Sequence, residues 1–259
     1  MAYTYIDPTR YDAESPITES LMTDIIENIA SNSAGGTYTV LTGSGTYSVP
    51  SGIAKLKVVV VSGGGSGGGG SSLGGGGGGG GGAVEEHFVT TTGGASISYS
   101  CGAGGAVVAF NTVGNTGGTS SFGAISVTGG AGGGQSLSAS IPSAGGNNQT
   151  GSSSASSYTG KYCGGIGGDG VNSGTGHDGG GHNSFSGAGG TAGGTGGGGG
   201  SLSLPFAIEG AVPYLGVGGA STGTTGGNAT LNGAGGGGGS STNSSGSGSA
   251  GIIFVLPVG

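Results

Sequence analysis

Two histidines and an aspartate are the residues whose types best suit a chemical site in this sequence. His177, Asp178 and His182 lie together in the segment GHDGGGHN. Imidazole nitrogens and carboxylate oxygens are common metal ligands in proteins. The histidines are five positions apart in a glycine-rich segment, however, and this spacing gives them no fixed geometry. Only one other acid, Asp169, is near them in the sequence, so we predict a polar loop tip and no metal site.

Glycine motifs with known chemistry occur, but none has the surrounding elements that its chemistry needs. Residues 164–172 (GGIGGDGVN) fit the repeat of calcium-binding β-rolls, which needs tandem copies and occurs here once. Residues 64–68 (GGSGG) fit the pattern around a hydrolase serine, yet no helix is predicted after them. Phosphate-binding glycine patterns match by composition alone, without a strand before and a helix after them. The sequence therefore predicts no enzyme activity and no cofactor.

Aromatic residues are the stronger candidates for a binding function. Four segments are richer in side chains than the glycine tracts around them and are predicted to be loops: Ala106–Thr116, Gln135–Cys163, Val171–Phe185 and Leu202–Val217. Tyrosine together with Ser, Gly and Asn is typical of adaptable binding loops. The alternative is that the rings cover the edges of a glycine core, and the sequence leaves both interpretations open. The candidate receptor-binding residues are six aromatics with two histidines as polar partners: Phe110, Tyr158, Tyr162, Phe185, Phe206, Tyr214, His177 and His182.

Glycine is the structural basis of this chain, with 76 of its 259 residues. A flexible linker is the usual interpretation of such a composition, but low charge content and short apolar runs along the whole chain oppose it. Collagen is excluded because glycine does not recur at every third position. The ordered alternative is a polyproline II-type helix of glycine, whose backbone donors and acceptors point sideways to neighbouring helices. We therefore predict glycine tracts packed as a lattice.

Charge and hydropathy exclude other classes of protein. The net charge is −7, with 4 Lys or Arg against 11 Asp or Glu, whereas a nucleic-acid binder is basic. The sequence has no run of 18 apolar residues to form a transmembrane helix. Its start, MAYTYIDPTRYDAESP, lacks the basic and apolar regions of a signal peptide. Cys101 and Cys163 are predicted to be free thiols, with a disulfide as the alternative.

An N-terminal helix is predicted within residues 1–35, which differ from the rest in charge and composition. Ser15 suits an N-cap, and Pro16 suits the first helical position. The apolar stripe of this helix is assigned to oligomerisation or docking and consists of Leu21, Met22, Ile25, Ile26 and Ile29. A single short helix is marginal in water. It is therefore expected to pack on a partner, in a symmetric bundle or on its own downstream domain.

The expected fold class is mostly irregular and β: a short N-terminal α-helix, a small β region and then a packed polyglycine II helix bundle with loops. The β region covers residues 36–62, with predicted strands on both sides of the turn Gly43–Gly45 and a third strand ending at Val61. The glycine-rich body covers residues 63–259. Its strand-like pieces are Ala83–Thr90, Ala95–Cys101, Phe122–Thr128 and Ile252–Leu256.

Three stretches of this sequence resemble the glycine-rich domain of bacteriophage tail-fibre proteins. Residues 45–70 (GTYSVPSGIAKLKVVVVSGGGSGGGG) are similar to its opening, a Tyr-x-Val-Pro-x-Gly strand that runs through valines into polyglycine. Residues 89–105 (VTTTGGASISYSCGAGG) and 117–134 (GGTSSFGAISVTGGAGGG) resemble its later strand and its Ser-Phe-Gly block. The end of the chain, SAGIIFVLPVG, looks like its terminal strand. The resemblance covers about residues 37–259.

Residues 11–29 are similar to the start of phage structural proteins in which a short helix anchors or trimerises the chain. The whole arrangement also resembles the adhesins at the tips of T-even long tail fibres, although the fibre-attachment domain of those adhesins has no counterpart here. The resemblance implies a virion protein made in the host cytoplasm, a homo-oligomer with a trimer favoured. Its partners would be other phage structural proteins and a bacterial surface glycan or outer-membrane protein.

Host attachment through loops on a polyglycine scaffold is thus the expected function. One alternative is a purely structural head or tail decoration or fibre protein without a receptor. A second alternative is an ice-binding protein built from polyglycine II helices, although this chain repeatedly breaks the strict Gly-x-x repeat of that class.

Overall fold

The computed structural model describes residues 38–72, 74–135, 158–162, 169–171, 192–193, 196–200, 218–222, 225–240 and 242–258. Within these ranges the fold is β structure and glycine-rich coil, and no residue is helical. The strands are β1 (Thr39–Leu41), β2 (Ser44–Ser48), β3 (Lys55–Val61), β4 (Val84–Thr90), β5 (Ser96–Ser100), β6 (Ser120–Phe122), β7 (Ile125–Val127), β8 (Tyr158–Tyr162), β9 (Ala192–Gly193), β10 (Ser221–Thr222) and β11 (Ile252–Val258).

Two antiparallel sheets pack face to face as a sandwich. One has the strand order β1-β11-β3-β4-β8 and the other β2-β5-β6-β7, while β9 and β10 form a short parallel pair. Alternate residues of β3, including Val58 and Val60, point into the core between the sheets. The second sheet contributes Tyr47 and Phe122, whose ring centroids lie 6.0 Å apart. The apolar pieces that interrupt the glycine tracts therefore build one shared core.

The predicted fold class is wrong in its helix and in the extent of its β structure. The part of the chain that the structure describes has no helix, so the predicted short N-terminal α-helix has no support. Its apolar stripe lies outside the described residues: Leu21, Met22, Ile25, Ile26 and Ile29. The β structure is not a small region at 36–62, because strands extend from Thr39 to Val258. Each apolar piece is too short to be stable alone and pairs with pieces distant in sequence, as β11 does with β1 and β3.

The hairpin of β3 and β4 continues far beyond its valines. Val61 pairs with Val84, and at the remote end Ser71 pairs with Gly74 in the same register. Between these points the backbone bonds from one arm to the other recur at every third residue rather than every second. Each arm therefore changes from a strand to a glycine-rich extended helix without changing its partner.

Two other hairpins are built in the same way. One joins β5 to β6 and turns at Phe110–Asn111, and the other turns between Ser240 and Asn243. We number the glycine-rich arms as tracts 1 to 7: residues 63–71, 74–82, 102–108, 112–118, 129–134, 233–240 and 243–249. Six of these tracts, all except tract 6, directly precede or follow a strand of the sandwich. The glycine lattice is thus an extension of the sandwich.

Tract 1 lies at the centre of a ring formed by the other six. Its N–H groups donate in a repeat of three residues. Gly63 and Ser66 donate to tract 4, the residue after each of them donates to tract 7, and the second residue after each donates to tract 2. Its carbonyl groups accept from tracts 3, 5 and 6, and each outer tract also bonds to its neighbours in the ring. A repeat of three residues, with all bonds made to other segments, is that of a polyproline II helix. The buried peptide groups are satisfied in this way.

Glycine is required in tract 1 because the backbones touch. A Cβ at Gly67 would overlap the carbonyl group of Gly237, and a Cβ at Gly64 would overlap that of Ala234. Buried serines join the same network where its backbone pattern changes. The hydroxyl of Ser120 accepts from the N–H of Gly102 at 2.9 Å and donates to the carbonyl of Val61 at 2.8 Å. These serines connect the lattice to the sandwich.

We expect Ser120→Ala to lower the free energy of unfolding by about 1–3 kcal/mol, because it leaves a buried N–H and a buried carbonyl without this partner. Ser121→Ala is the matched control, since Ser121 is the next residue of β6 and is half-buried. It should change stability by less than about 0.5 kcal/mol. Urea unfolding followed by circular dichroism measures both. Equal losses in the two variants would show that the Ser120 hydroxyl has no special role.

Candidate functional site

The tip of the lattice, meaning its end at Gly70, is the part of the described structure best placed to meet a ligand. Tract 1 leaves the sandwich at Gly63 and extends about 25 Å at the rise of such a helix. All three hairpins turn at this end. The N–H of Asn111 donates to the carbonyl of Gly70 at 2.7 Å, and the N–H of Gly70 donates to the carbonyl of Asn243 at 2.9 Å. Turns from distant parts of the sequence thus meet at one residue.

The turn at Phe110–Asn111 is bonded to the neighbouring tracts by several hydrogen bonds. Asn111 has a φ of 57°, in the left-handed region that asparagine tolerates better than most residues. The N–H of Val108 donates to the Ser245 hydroxyl at 3.0 Å, and the side-chain amide of Asn115 donates to the carbonyl of Ala106 at 3.1 Å. The loop base is fixed to tracts 1 and 7, so little order remains to be gained on binding.

Exposed apolar side chains are concentrated on the hairpin of tracts 3 and 4, at this turn and beside it. Val107 is 50% exposed, Phe110 44% and Val113 53%. Elsewhere in the described ranges only Val40 and Leu231 are large hydrophobics with comparable exposure. Glycine neighbours cannot cover these side chains, which therefore face solvent. Exposed polar side chains that carry no charge accompany them: Asn111, Thr112 and Thr242 at the tip turns, and Asn115 and Thr116 farther along tract 4.

Two other side-chain-rich segments begin next to the tip, although the first of them, residues 136–157, ends at Tyr158 in β8 of the sandwich. Gln135 follows tract 5, whose Gly134 accepts from tract 2 close to the turn at Ser71–Gly74. Val171 accepts from the N–H of Gly75 beside the same turn. By contrast, Gly200 and Gly219 bond to parts of tracts 2 and 6 that lie nearer the sandwich. The described residues that flank 201–217 are therefore away from the tip.

The predicted binding residues fall into three groups. Phe110 lies exposed at the tip. Tyr158 and Tyr162 were expected in a loop, and this is wrong, because they begin and end β8, which pairs with β4 at the edge of the five-stranded sheet. Their side chains are not described. Five candidates lie outside the described residues: His177, His182, Phe185, Phe206 and Tyr214.

Sequence reasoning overlooked Val107, Val113 and Asn111 as members of the tip. One signal was available in residues 113–119 (VGNTGGT). Glycines occupy positions of this segment that contact other tracts, whereas Val113, Thr116 and Thr119 recur at every third position and are exposed. A three-residue alternation of glycine and side chains thus marks the outward face of a lattice tract.

A buried ionisable pair was also missed. Glu85 and His87 are 0% and 1% exposed, and the Nε2–H of His87 donates to Oε2 of Glu85 at 2.9 Å. Strand register places them opposite Val60 and Val58, on the face of β4 that turns toward the core. Because both groups are sealed from solvent, the pair has a structural role and does not contact an external ligand. Among the described residues no group of three metal-binding side chains is found.

Cys101 is a free thiol, which confirms the prediction for this residue, while Cys163 lies outside the described residues. The Sγ of Cys101 donates to the carbonyl of Leu41 at 3.3 Å, and burial raises the pKa of the Cys101 thiol. The thiolate is the reactive form, and a raised pKa lowers its fraction at any given pH.

We expect iodoacetamide at mildly alkaline pH to alkylate Cys101 more slowly in the folded chain than in urea. Mass spectrometry of the Cys101 peptide measures this, and equal rates would contradict it.

Comparison with known families agrees with this architecture. The sequence model of a family described as a glycine-rich domain matches residues 39–256, which begin at β1 and end within β11. The chain belongs to this family. The matched range of the glycine-rich domain includes both the sandwich and the lattice. No curated protein matches the chain at a significant level. In the described part of the glycine-rich domain, no helix is long and apolar enough to cross a membrane.

Proposed function

We propose that this glycine-rich domain protein is a fibre or adhesin component of a bacteriophage particle and attaches the particle to the host-cell surface. One observation carries the proposal: the two ends of the domain differ in structure. Tyr38, the first described residue, packs its ring against Phe254 in the sandwich, with centroids 6.3 Å apart. The exposed turns lie at the opposite end of the lattice. Residues 1–37 thus join the domain at the end away from the tip.

This difference between the two ends suits a protein that is held at one end and binds at the other. In the proposal, residues 1–37 connect the chain to other particle proteins or to further copies of itself. The lattice acts as a rigid spacer whose hydrogen bonds fix the bases of the tip turns. Rigid display lowers the entropy lost on binding. The likeness of residues 45–70 and 117–134 to phage tail-fibre domains supports the same assignment.

Segment exchange tests attachment. Labelled full-length protein is applied to a panel of bacterial strains, and residues 136–157 and 172–191 are replaced with unrelated loops of equal length. We expect cell binding to be lost. Exchange of 201–217 is the matched control, since the described residues on both of its sides lie nearer the sandwich, and this variant should still bind. Unchanged cell binding after exchange of both 136–157 and 172–191, or no binding to any strain by the parent protein, would contradict receptor binding and favour a structural particle protein.

A further inference from the structure

We propose that the tip recognises an uncharged, hydroxyl-rich ligand, namely a neutral glycan of the host surface. This inference deepens the proposed function and rests on it. It is carried by the composition of the tip turns and of the tract ends beside them, where an exposed aromatic ring, two exposed valines and uncharged polar side chains lie on a hydrogen-bonded backbone.

Absence of cations at the tip is the first step. The four basic residues of the whole sequence are Arg10, Lys55, Lys57 and Lys161, and none lies between residues 62 and 135 or after 161. Lys55 and Lys57 belong to β3, where one lies 4.5 Å from the Phe88 ring centroid and the other pairs with Glu86 at 3.4 Å. Phosphate and carboxylate groups are bound in proteins chiefly by Arg and Lys. A glycan rich in these anions would find no partner charge on the lattice.

The groups that are present suit a sugar. The face of an aromatic ring is electron-rich and attracts the weakly positive C–H edge of a pyranose ring. Phe110 offers such a ring, 44% exposed. Asn111, Thr112 and Thr242 are exposed on the turns that converge at Gly70, and their amides and hydroxyls both donate and accept hydrogen bonds. This combination matches alternating C–H faces and hydroxyl edges.

A protein receptor fits the described tip less well. A stable protein–protein interface buries about 800 Å² on each partner and is centred on a cluster of large anchors. The hairpin that turns at Phe110 presents one ring and two valines, with small side chains and glycine around them. A saccharide of a few units requires less contact area, and an already ordered turn can bind it without further ordering.

Substitution at the tip isolates the aromatic contact. We expect Phe110→Ala to weaken cell binding about ten-fold or more, as for a central aromatic anchor, and Phe110→Tyr to retain it. Leu231→Ala is the matched control. Leu231 is 52% exposed, comparable with Phe110, but it lies just before tract 6, at the sandwich end. All three variants should keep the parent melting temperature, because the altered side chains are exposed.

Cell treatment and a defined probe separate the outcomes. Strains that bind the full-length protein are treated with periodate or with proteinase K, and a printed array of uncharged and acidic bacterial polysaccharides is probed in parallel. We expect periodate to abolish cell binding and proteinase K to leave it unchanged. On the array, we expect the protein to bind uncharged polysaccharides. This binding should persist at high salt and should be lost in Phe110→Ala. Binding abolished only by proteinase K, or confined to acidic polysaccharides, would overturn the glycan inference while attachment stands. Failure to bind any strain would overturn the attachment proposal itself.

Discussion

Gly67→Ala should lower the free energy of unfolding by about 3 kcal/mol or more, at the upper end of what overpacking costs. Gly67 lies in tract 1, in contact with surrounding tracts, and its new methyl group would overlap the backbone carbonyl of Gly237. A backbone atom cannot rotate away as a side chain can, so a whole tract must move. Movement of one tract weakens the hydrogen bonds of its neighbours as well.

Thermal unfolding of the purified variant measures this effect. Ala106→Val adds methyl groups to tract 3 at an exposed position and serves as the control. It should melt close to the parent. A Gly67→Ala protein that also melts close to the parent would show that the lattice tolerates side chains at its centre. In that case close backbone approach would not be the reason for glycine in tract 1.

His87→Ala is expected to cost about 3–5 kcal/mol, because it removes a large buried side chain and leaves a buried carboxyl group without its partner. The substitution takes away the donor to Oε2 of Glu85 and leaves a cavity in the core. Replacing both residues with leucine should recover most of the loss, because apolar side chains of similar size often replace a buried pair without penalty.

Glu86→Ala is the comparison for this pair. Glu86 is the neighbouring residue of β4, points to the other face and pairs with Lys57 at 3.4 Å where both side chains are partly exposed. Partly solvated pairs contribute less than buried ones, so the loss should be clearly smaller than for His87→Ala. Urea unfolding of the four proteins provides the measurement. If His87→Ala and Glu86→Ala cost the same, burial of the pair would not determine its contribution.

Strand positions were largely predictable from local pattern. Alternation in Lys55–Val58 followed by valines predicted β3, and the apolar pieces around Val84, Ile97 and Phe254 predicted three other strands, which the structure confirms. Pairing of those strands was not predictable. A turn was predicted at Gly43–Gly45 between two strands, yet Ser44 already begins β2, and β1 and β2 belong to different sheets. The sheet that each strand joins is set by its partner, which is β11 for β1 and β5 for β2, and both partners are distant in sequence. Local propensity carries no information about such pairing.

The candidate site was predictable only in part. Phe110 was identified from its side-chain-rich segment, and the structure places it exposed at the tip. Tyr158 belongs to β8 instead of a loop, because strand pairing with β4 outweighs the turn-like composition around it. The valines at 107 and 113 were overlooked because an apolar residue is ordinarily expected inside the fold. Here the neighbouring tracts have little but backbone with which to cover them.

Composition by itself determined that the backbones of this chain pack against one another, since glycine without Cβ permits that contact and few charges oppose it. The sequence also determined that no cation lies on the lattice, because the four basic residues occur elsewhere in the chain. Only the tertiary structure decided that tract 1 is the centre of the lattice, that three hairpins turn at one tip and that Glu85 and His87 meet inside the core. These features depend on bonds between segments far apart in sequence. Every tract consists largely of glycine, so composition does not distinguish a central tract from an outer one. Only the complete set of hydrogen-bond partners does.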